Sequence, residues 1–190
     1  MRIIGGSAKG RRILTPSGKD TRPTQDRIRE SIFDILQGMV QGADVLDLFA
    51  GSGALGLEAA SRGARWVVSV DHAQAAMACI QQNVAKLGFE SRVLALKCDW
   101  THAMIKLQQI QAKFDLIFLD PPYLMKDIPM ICKRLVLQGL LKMNALVIIE
   151  HHKSMLLKLP DYIYQKDIRN YGDTVISFYG IQEGIFHKLL

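Results

Sequence analysis

The chain has 190 residues, 49% hydrophobic and 22% charged, with a formal net charge of +6. That balance excludes a disordered chain and predicts one domain over residues 1–190 with a full apolar core. Three scattered cysteines (Cys79, Cys98 and Cys132) without a CxxC spacing argue against a disulfide framework or a zinc site.

Charge is concentrated at the start of the chain. Residues 1–30 hold eight bases (Arg2, Lys9, Arg11, Arg12, Lys19, Arg22, Arg27, Arg29) against three acids (Asp20, Asp26, Glu30), which is +5 of the total +6. Residues 1–22 read as an arm facing a polyanion, with Arg2, Lys9, Arg11 and Arg12 as its candidate contacts. A merely solvated segment is the plainer alternative. Within the arm, RIIGG and GRRILTP are short β-like runs separated by SAK, which predicts a β-hairpin with a basic face. MRIIGGSAKGRR has no apolar signal core, so a cytoplasmic protein is expected. The run VLDLFAGSGALGLEAA, broken by glycines and by Asp47 and Glu58, is not a membrane span.

TRPTQDRIRESIFDILQG follows, with Thr24 as a possible cap and Ile28, Ile32, Ile35 and Leu36 at helical spacing. Strand-like and helix-like segments then alternate. The strands are VLDLF (45–49), WVVSV (66–70), RVLALK (92–97), FDLIFL (114–119) and ALVIIE (145–150). Between them lie ALGLEAASRG, AQAAMACIQQNVAKLG, WTHAMIKLQQI and KDIPMICKRLVLQG. This order predicts an α/β domain with a parallel sheet covered by helices. DYIYQKDIRN and DTVISFYG, joined by a tight turn, predict an antiparallel pair at the sheet's end.

Gly51, Gly53 and Gly56 in DLFAGSGALG match GxGxxG directly after the first strand. Glycine lets the backbone turn sharply and approach a ligand, and the helix that follows offers unpaired N–H groups. Asp71 ends the next strand, twenty residues past Gly51, where a carboxylate can accept from ribose hydroxyls. These features fit NAD as well as S-adenosylmethionine. Asp47, read as two residues before the strand's end, could meet the amino group of a methionine moiety. Asp99, after RVLALKC, could meet an adenine amino group or simply cap the next helix. If Asp47, Asp71, Asp99 and Asp120 line one cleft, four carboxylates suit a cationic sulfonium better than a pyrophosphate.

FDLIFLDPPY ends an apolar strand on Asp120-Pro121-Pro122-Tyr123. Prolines stop the strand and fix φ. An exocyclic amine on a base is a poor nucleophile because its lone pair is delocalised into the ring. Acceptors held against its protons, here the Asp120 carboxylate and the Pro121 carbonyl, favour a tetrahedral nitrogen. Tyr123 offers a face on which an extruded base can stack. A plain proline turn is the alternative, weakened by the GxGxxG and the acid at the ends of earlier strands.

The chain resembles the RsmD family in RIIGGSAKGRRI, TRPTQDRIRESIFDIL, VLDLFAGSGALGLEAASRGA, NVAKLG, FDLIFLDPPY, IIEH and YGDTVISFY. The resemblance implies a class I S-adenosylmethionine-dependent methyltransferase: a Rossmann-like, seven-stranded sheet, its last strand antiparallel, with an N-terminal β-hairpin that helps hold RNA. It implies methyl transfer to guanine N2 in 16S ribosomal RNA, guanine 966 being expected for the family, on an assembled small-subunit particle. By the same resemblance, Arg22, Pro23 and Thr24 lie near the cofactor's methionine end. The catalytic set is then Asp120, Pro121, Pro122 and Tyr123. The cofactor set is Arg22, Thr24, Asp47, Gly51, Gly53, Asp71, Asp99, Trp100 and Asp120. His72 stands where a longer basic residue is common and Trp100 where a small one is usual, so Trp100 either packs on adenine or reshapes the pocket wall.

A monomer without a metal is expected. His151 and His152 read as surface or cleft-edge residues, because the sequence supplies no further ligands around them. Three other functions fit parts of the pattern: a DNA amino-methyltransferase, an NAD-dependent oxidoreductase, and a non-catalytic RNA-binding assembly factor.

Overall fold

The computed structural model describes residues 1–16, 23–122 and 125–185. They form two compact units, Met1–Trp100 and Thr101–Leu190. The strands make one seven-stranded sheet in the order β3-β2-β1-β4-β5-β7-β6. Among the described residues no helix is long and apolar enough to cross a membrane.

The first unit contains the arm, α1 (Pro23–Ile35), β1 (Asp44–Asp47), α2 (Ala54–Ser61), β2 (Trp66–Asp71), α3 (Gln74–Leu87) and β3 (Val93–Lys97). Helix α1 begins at Pro23, so Thr24 lies inside the helix and does not cap it. Proline suits the first helical position because its φ is already helical and its missing N–H would be unpaired there anyway. Strands β1, β2 and β3 pair in parallel, with Val45 against Val67 and Val68 against Leu94. Strand β1 is short and wholly buried. It stops at Asp47, making that acid its last residue, because the chain then folds into a turn closed by the Gly53 N–H on the Ala50 carbonyl at 2.7 Å.

The predicted hairpin is present as a short antiparallel pair: Arg2 bridges Arg12, and the Ile3, Gly10 and Ile13 N–H groups donate to the Arg11, Ile3 and Met1 carbonyls at 2.9, 2.8 and 3.0 Å, with a 3-10 turn at Gly6–Ala8 between the two runs. The pair is also tied to α2. Ile4 and Gly5 donate to Glu58 at 2.8 and 2.7 Å, and Ala8 donates to Ser61 Oγ at 2.9 Å. The arm therefore bonds both to itself and to α2.

The second unit contains β4 (Phe114–Leu119), α5 (Ile128–Leu137), β5 (Leu141–His152), β6 (Ile163–Tyr171) and β7 (Thr174–Ile181), with α4 (Trp100–Gln109) starting at its boundary. Strands β4 and β5 are parallel, whereas β7 runs antiparallel to both β5 and β6. The core of this unit is built on Phe114, Ile117, Phe118, Val147, Ile149 and Phe178, all almost fully buried. On β4 the run from Leu116 to Leu119 is apolar and buried throughout, as a strand covered on both faces requires.

Candidate active site

In the first unit the glycine loop is held by two acids. Asp71 accepts from the Gly51 N–H at 2.9 Å through one carboxylate oxygen and from the Ala73 N–H at 2.8 Å through the other. The acid at the end of β2 thus ties the loop after β1 to the start of α3. Asp47, 1% exposed, accepts from the Gly56 N–H at 3.1 Å and so supports the loop from beneath. Two glycines are required for reasons of space and backbone. A Cβ on Gly56 would stand 2.7 Å from Ser69 Oγ and 3.0 Å from Val67, and Gly53 precedes α2 with φ +80°. At Gly51, φ +56°, a Cβ would meet no atom of the described residues within 4 Å.

Asp99 is exposed and directly precedes α4, while Trp100, the first residue of that helix, is half-buried. His72 Nδ1 lies 3.7 Å from the Asp71 carboxylate. Arg22 and Tyr123 fall outside the described residues, and so does the side chain of Thr24.

The arm's bases divide into two kinds. Arg2, Lys9 and Arg12 are exposed. Arg11 is exposed as well, but its guanidinium donates to the carbonyls of Leu87, at 3.3 Å, and of Lys86 in the last turn of α3. A cation at a helix C-terminus satisfies orphan carbonyls and meets the favourable end of the helix dipole.

Glu58 is a residue that sequence reasoning missed. It is 0% exposed, and besides the two arm N–H groups it pairs with Arg62 at 2.8 Å and Arg29 at 3.7 Å. Arg29, itself buried, also donates to the Arg2 carbonyl and pairs with Asp26 at 3.1 Å. Burial pulls the Arg29 guanidinium below its ordinary range, and Glu58 and Asp26 oppose that shift. The available signal was a lone acid in the otherwise apolar helix ALGLEAAS.

In the second unit, Asp120 follows the last residue of β4 and is exposed; Pro121 is buried and Pro122 exposed. The Met125 N–H donates to the Pro122 carbonyl at 2.8 Å. The register that sets Leu119 beside Ile149 brings Glu150 next to Asp120 in the parallel pair. Burial, with a smaller contribution from the Asp120 charge, pushes the Glu150 carboxyl up from 4.5 to about 8. This neutral acid beside the corner was also missed, although it terminates the run ALVIIE.

His151 is buried, against the expectation of a surface or cleft-edge residue. Strand β5 runs on to His152, and β7 covers it there. Its ring nitrogens face the His152 carbonyl at 3.1 Å and Ser177 Oγ at 3.0 Å, which suits a neutral imidazole, and burial lowers its basicity. Among the described residues no group of three or more His, Cys, Asp or Glu side chains is arranged to hold a metal ion.

A protein family described as conserved hypothetical protein 95 matches residues 1–180. The ribosomal RNA small subunit methyltransferase D of Haemophilus influenzae is 32% identical over 161 residues, covering 85% of this chain and 83% of that protein. The solved yhhF structure from Escherichia coli, described as a candidate methyltransferase, superposes with a TM-score of 0.83 at 30% identity, covering 96% of this chain and 98% of that one. SMU.776, a candidate methyltransferase solved with S-adenosylhomocysteine, shares the fold at 19% identity and a TM-score of 0.66, covering 85% of this chain and 50% of that one. Matched along nearly its whole length by the family and along most of it by a named relative, this chain belongs to the RsmD family.

Proposed function

We propose that the protein transfers a methyl group from S-adenosylmethionine to the exocyclic N2 of a guanine in 16S ribosomal RNA. At the coarser level, methyl transfer to ribosomal RNA follows the named relatives of the family. The guanine N2, position 966 and an assembled small-subunit particle as substrate are the finer parts of the reading. The observation that carries the chemistry is the Asp120-Pro121-Pro122 corner: an exposed carboxylate at the end of a buried strand, followed by two residues of fixed φ.

The donor-binding residues in this reading are those around the glycine loop. A carboxylate has about four lone-pair sites, so Asp71, after accepting from Gly51 and Ala73, still has capacity for two ribose hydroxyls. Among the described residues nothing crowds Gly51, which leaves room for a ligand against the backbone. Asp47 sets the loop from below, and its buried charge favours a cation. Asp99 and Trp100 would flank the adenine, and Arg22 and Thr24 the methionine end. When bound, the sulfonium donor supplies an electrophilic methyl group.

The chain's own contribution to the reaction is positioning. The Asp120 carboxylate and the Pro121 carbonyl accept from the two amine protons, which localises the nitrogen lone pair. Tyr123 stacks the extruded base and Pro122 keeps the corner from relaxing. The nitrogen must shed one proton on methylation, and the Asp120 carboxylate at the corner would receive it. Arg2, Lys9 and Arg12 hold phosphates, and Arg11 steadies the arm that carries them. The protein is proposed to do this as a cytoplasmic monomer, without a metal.

Methyl-labelled S-adenosylmethionine, incubated with small subunits from cells lacking this protein, tests the reading. Label on N2 of a single guanine is the expected result. Label elsewhere, or none with folded protein, overturns it.

A further inference from the structure

Asn83 on α3 is fully buried and touches two segments far apart in sequence. Its Oδ1 accepts from the Leu14 N–H at 2.7 Å, while its Nδ2 donates to the Leu14 carbonyl and to the Ser52 carbonyl, each at 3.0 Å. Both amide protons are thereby used, and a flipped amide would set a donor against the Leu14 N–H, so the orientation is fixed. Leu14 belongs to the arm, two residues after Arg12. Ser52 lies in the glycine loop between Gly51 and Gly53, both at positive φ.

All three bonds end on main-chain groups, so they set backbone position whatever the neighbouring side chains do. Anything that fixes the Ser52 carbonyl fixes the Asn83 amide, and through it both polar groups of Leu14. A ligand that orders the loop therefore leaves less of the arm's conformational entropy to be lost when RNA binds.

We propose that Asn83 is a positioning residue coupling the glycine loop to the basic arm, so that cofactor and ribosomal RNA each strengthen the binding of the other. The inference rests on the reading of the loop as the cofactor site and of the arm as an RNA contact. Coupling of this kind is reciprocal: the factor by which S-adenosylhomocysteine tightens RNA binding equals the factor by which RNA tightens S-adenosylhomocysteine binding.

The experiment measures 16S ribosomal RNA affinity of the full chain with and without saturating S-adenosylhomocysteine, for the wild type, Asn83→Asp and Leu14→Pro. Asn83→Asp is nearly isosteric and keeps the acceptor for Leu14 while losing both donors. Leu14→Pro removes the arm's N–H and leaves the Asn83–Ser52 bond in place. We expect S-adenosylhomocysteine to tighten RNA binding by about fivefold or more in the wild type, the lower range of known couplings. That factor should fall below about twofold in either variant that melts cooperatively, a readout that a purely structural role would not move. An uncoupled wild type, or a folded variant with undiminished coupling, overturns the inference. A wild type that binds neither ligand overturns the proposed function instead.

Discussion

The Asp71 carboxylate, at the end of β2, holds the Gly51 N–H of the loop after β1 at 2.9 Å. One acid therefore shapes the loop and, in the proposed function, also meets the ribose. Asp71→Ala removes both roles, and a charged acceptor is worth ~1.5–3 kcal/mol, or roughly 10- to 100-fold in affinity. S-adenosylhomocysteine binding by calorimetry should weaken by that factor. Asp71→Asn keeps one acceptor and should lie between the two. A variant that binds as tightly as wild type would remove Asp71 from the site.

Asp120 is expected to separate chemistry from binding. It is exposed at the corner, so Asp120→Ala should fold normally. Losing a preorganised electrostatic partner of the reacting group costs about 10²-fold or more in kcat. Single-turnover methyl transfer to small subunits should drop by that amount, with S-adenosylhomocysteine affinity changed by only a few fold. If affinity collapses while the residual rate stays high, Asp120 is a cofactor ligand and not a catalytic group.

What was legible in the sequence was local. Residues adjacent in the chain encode the glycine loop, the Asp71 spacing and the proline corner. The alternation of apolar runs encodes the parallel strands because a strand buried on both faces tolerates few polar residues. Glu58, Asn83 and Glu150 were not legible, because their partners come from distant chain segments: Ile4, Leu14 and Asp120. His151 was misplaced for a related reason, since the strand it extends is covered by β7, which returns from far along the chain. The arm's hairpin was legible because it is local, whereas its attachment to Glu58 and Ser61 of α2 was not.

Glu58 predicts a stability defect and not a chemical one. Its carboxylate serves Ile4, Gly5, Arg62 and Arg29, all in the first unit, and it has no exposure to water. Glu58→Ala leaves the buried Arg29 with Asp26 as its one remaining acid among the described residues and frees the N–H groups of Ile4 and Gly5. Breaking a buried pair by removing one partner costs ~3–5 kcal/mol. Urea unfolding should register that loss, and limited proteolysis should cut the arm of Glu58→Ala much faster than that of wild type. A loss under ~1 kcal/mol would mean the network is not formed in solution.

Glu150 predicts a pH dependence whose sign is set by its environment. The folded value of about 8 lies above the ordinary 4.5, so the folded protein holds this proton more tightly than the unfolded chain does. The stabilisation is fully present below about pH 4.5 and is lost as pH rises through about 8. Glu150→Gln keeps the neutral shape and cannot ionise, so its melting temperature should exceed that of wild type progressively from pH 6 to pH 9. Asp120→Asn offers a control on the cause. Burial is the larger influence on Glu150 and the Asp120 charge the smaller, so the wild-type inflection should move down only modestly in that variant. An inflection that returned all the way to the ordinary carboxylate range would make the neighbouring charge, and not the loss of water, the dominant cause.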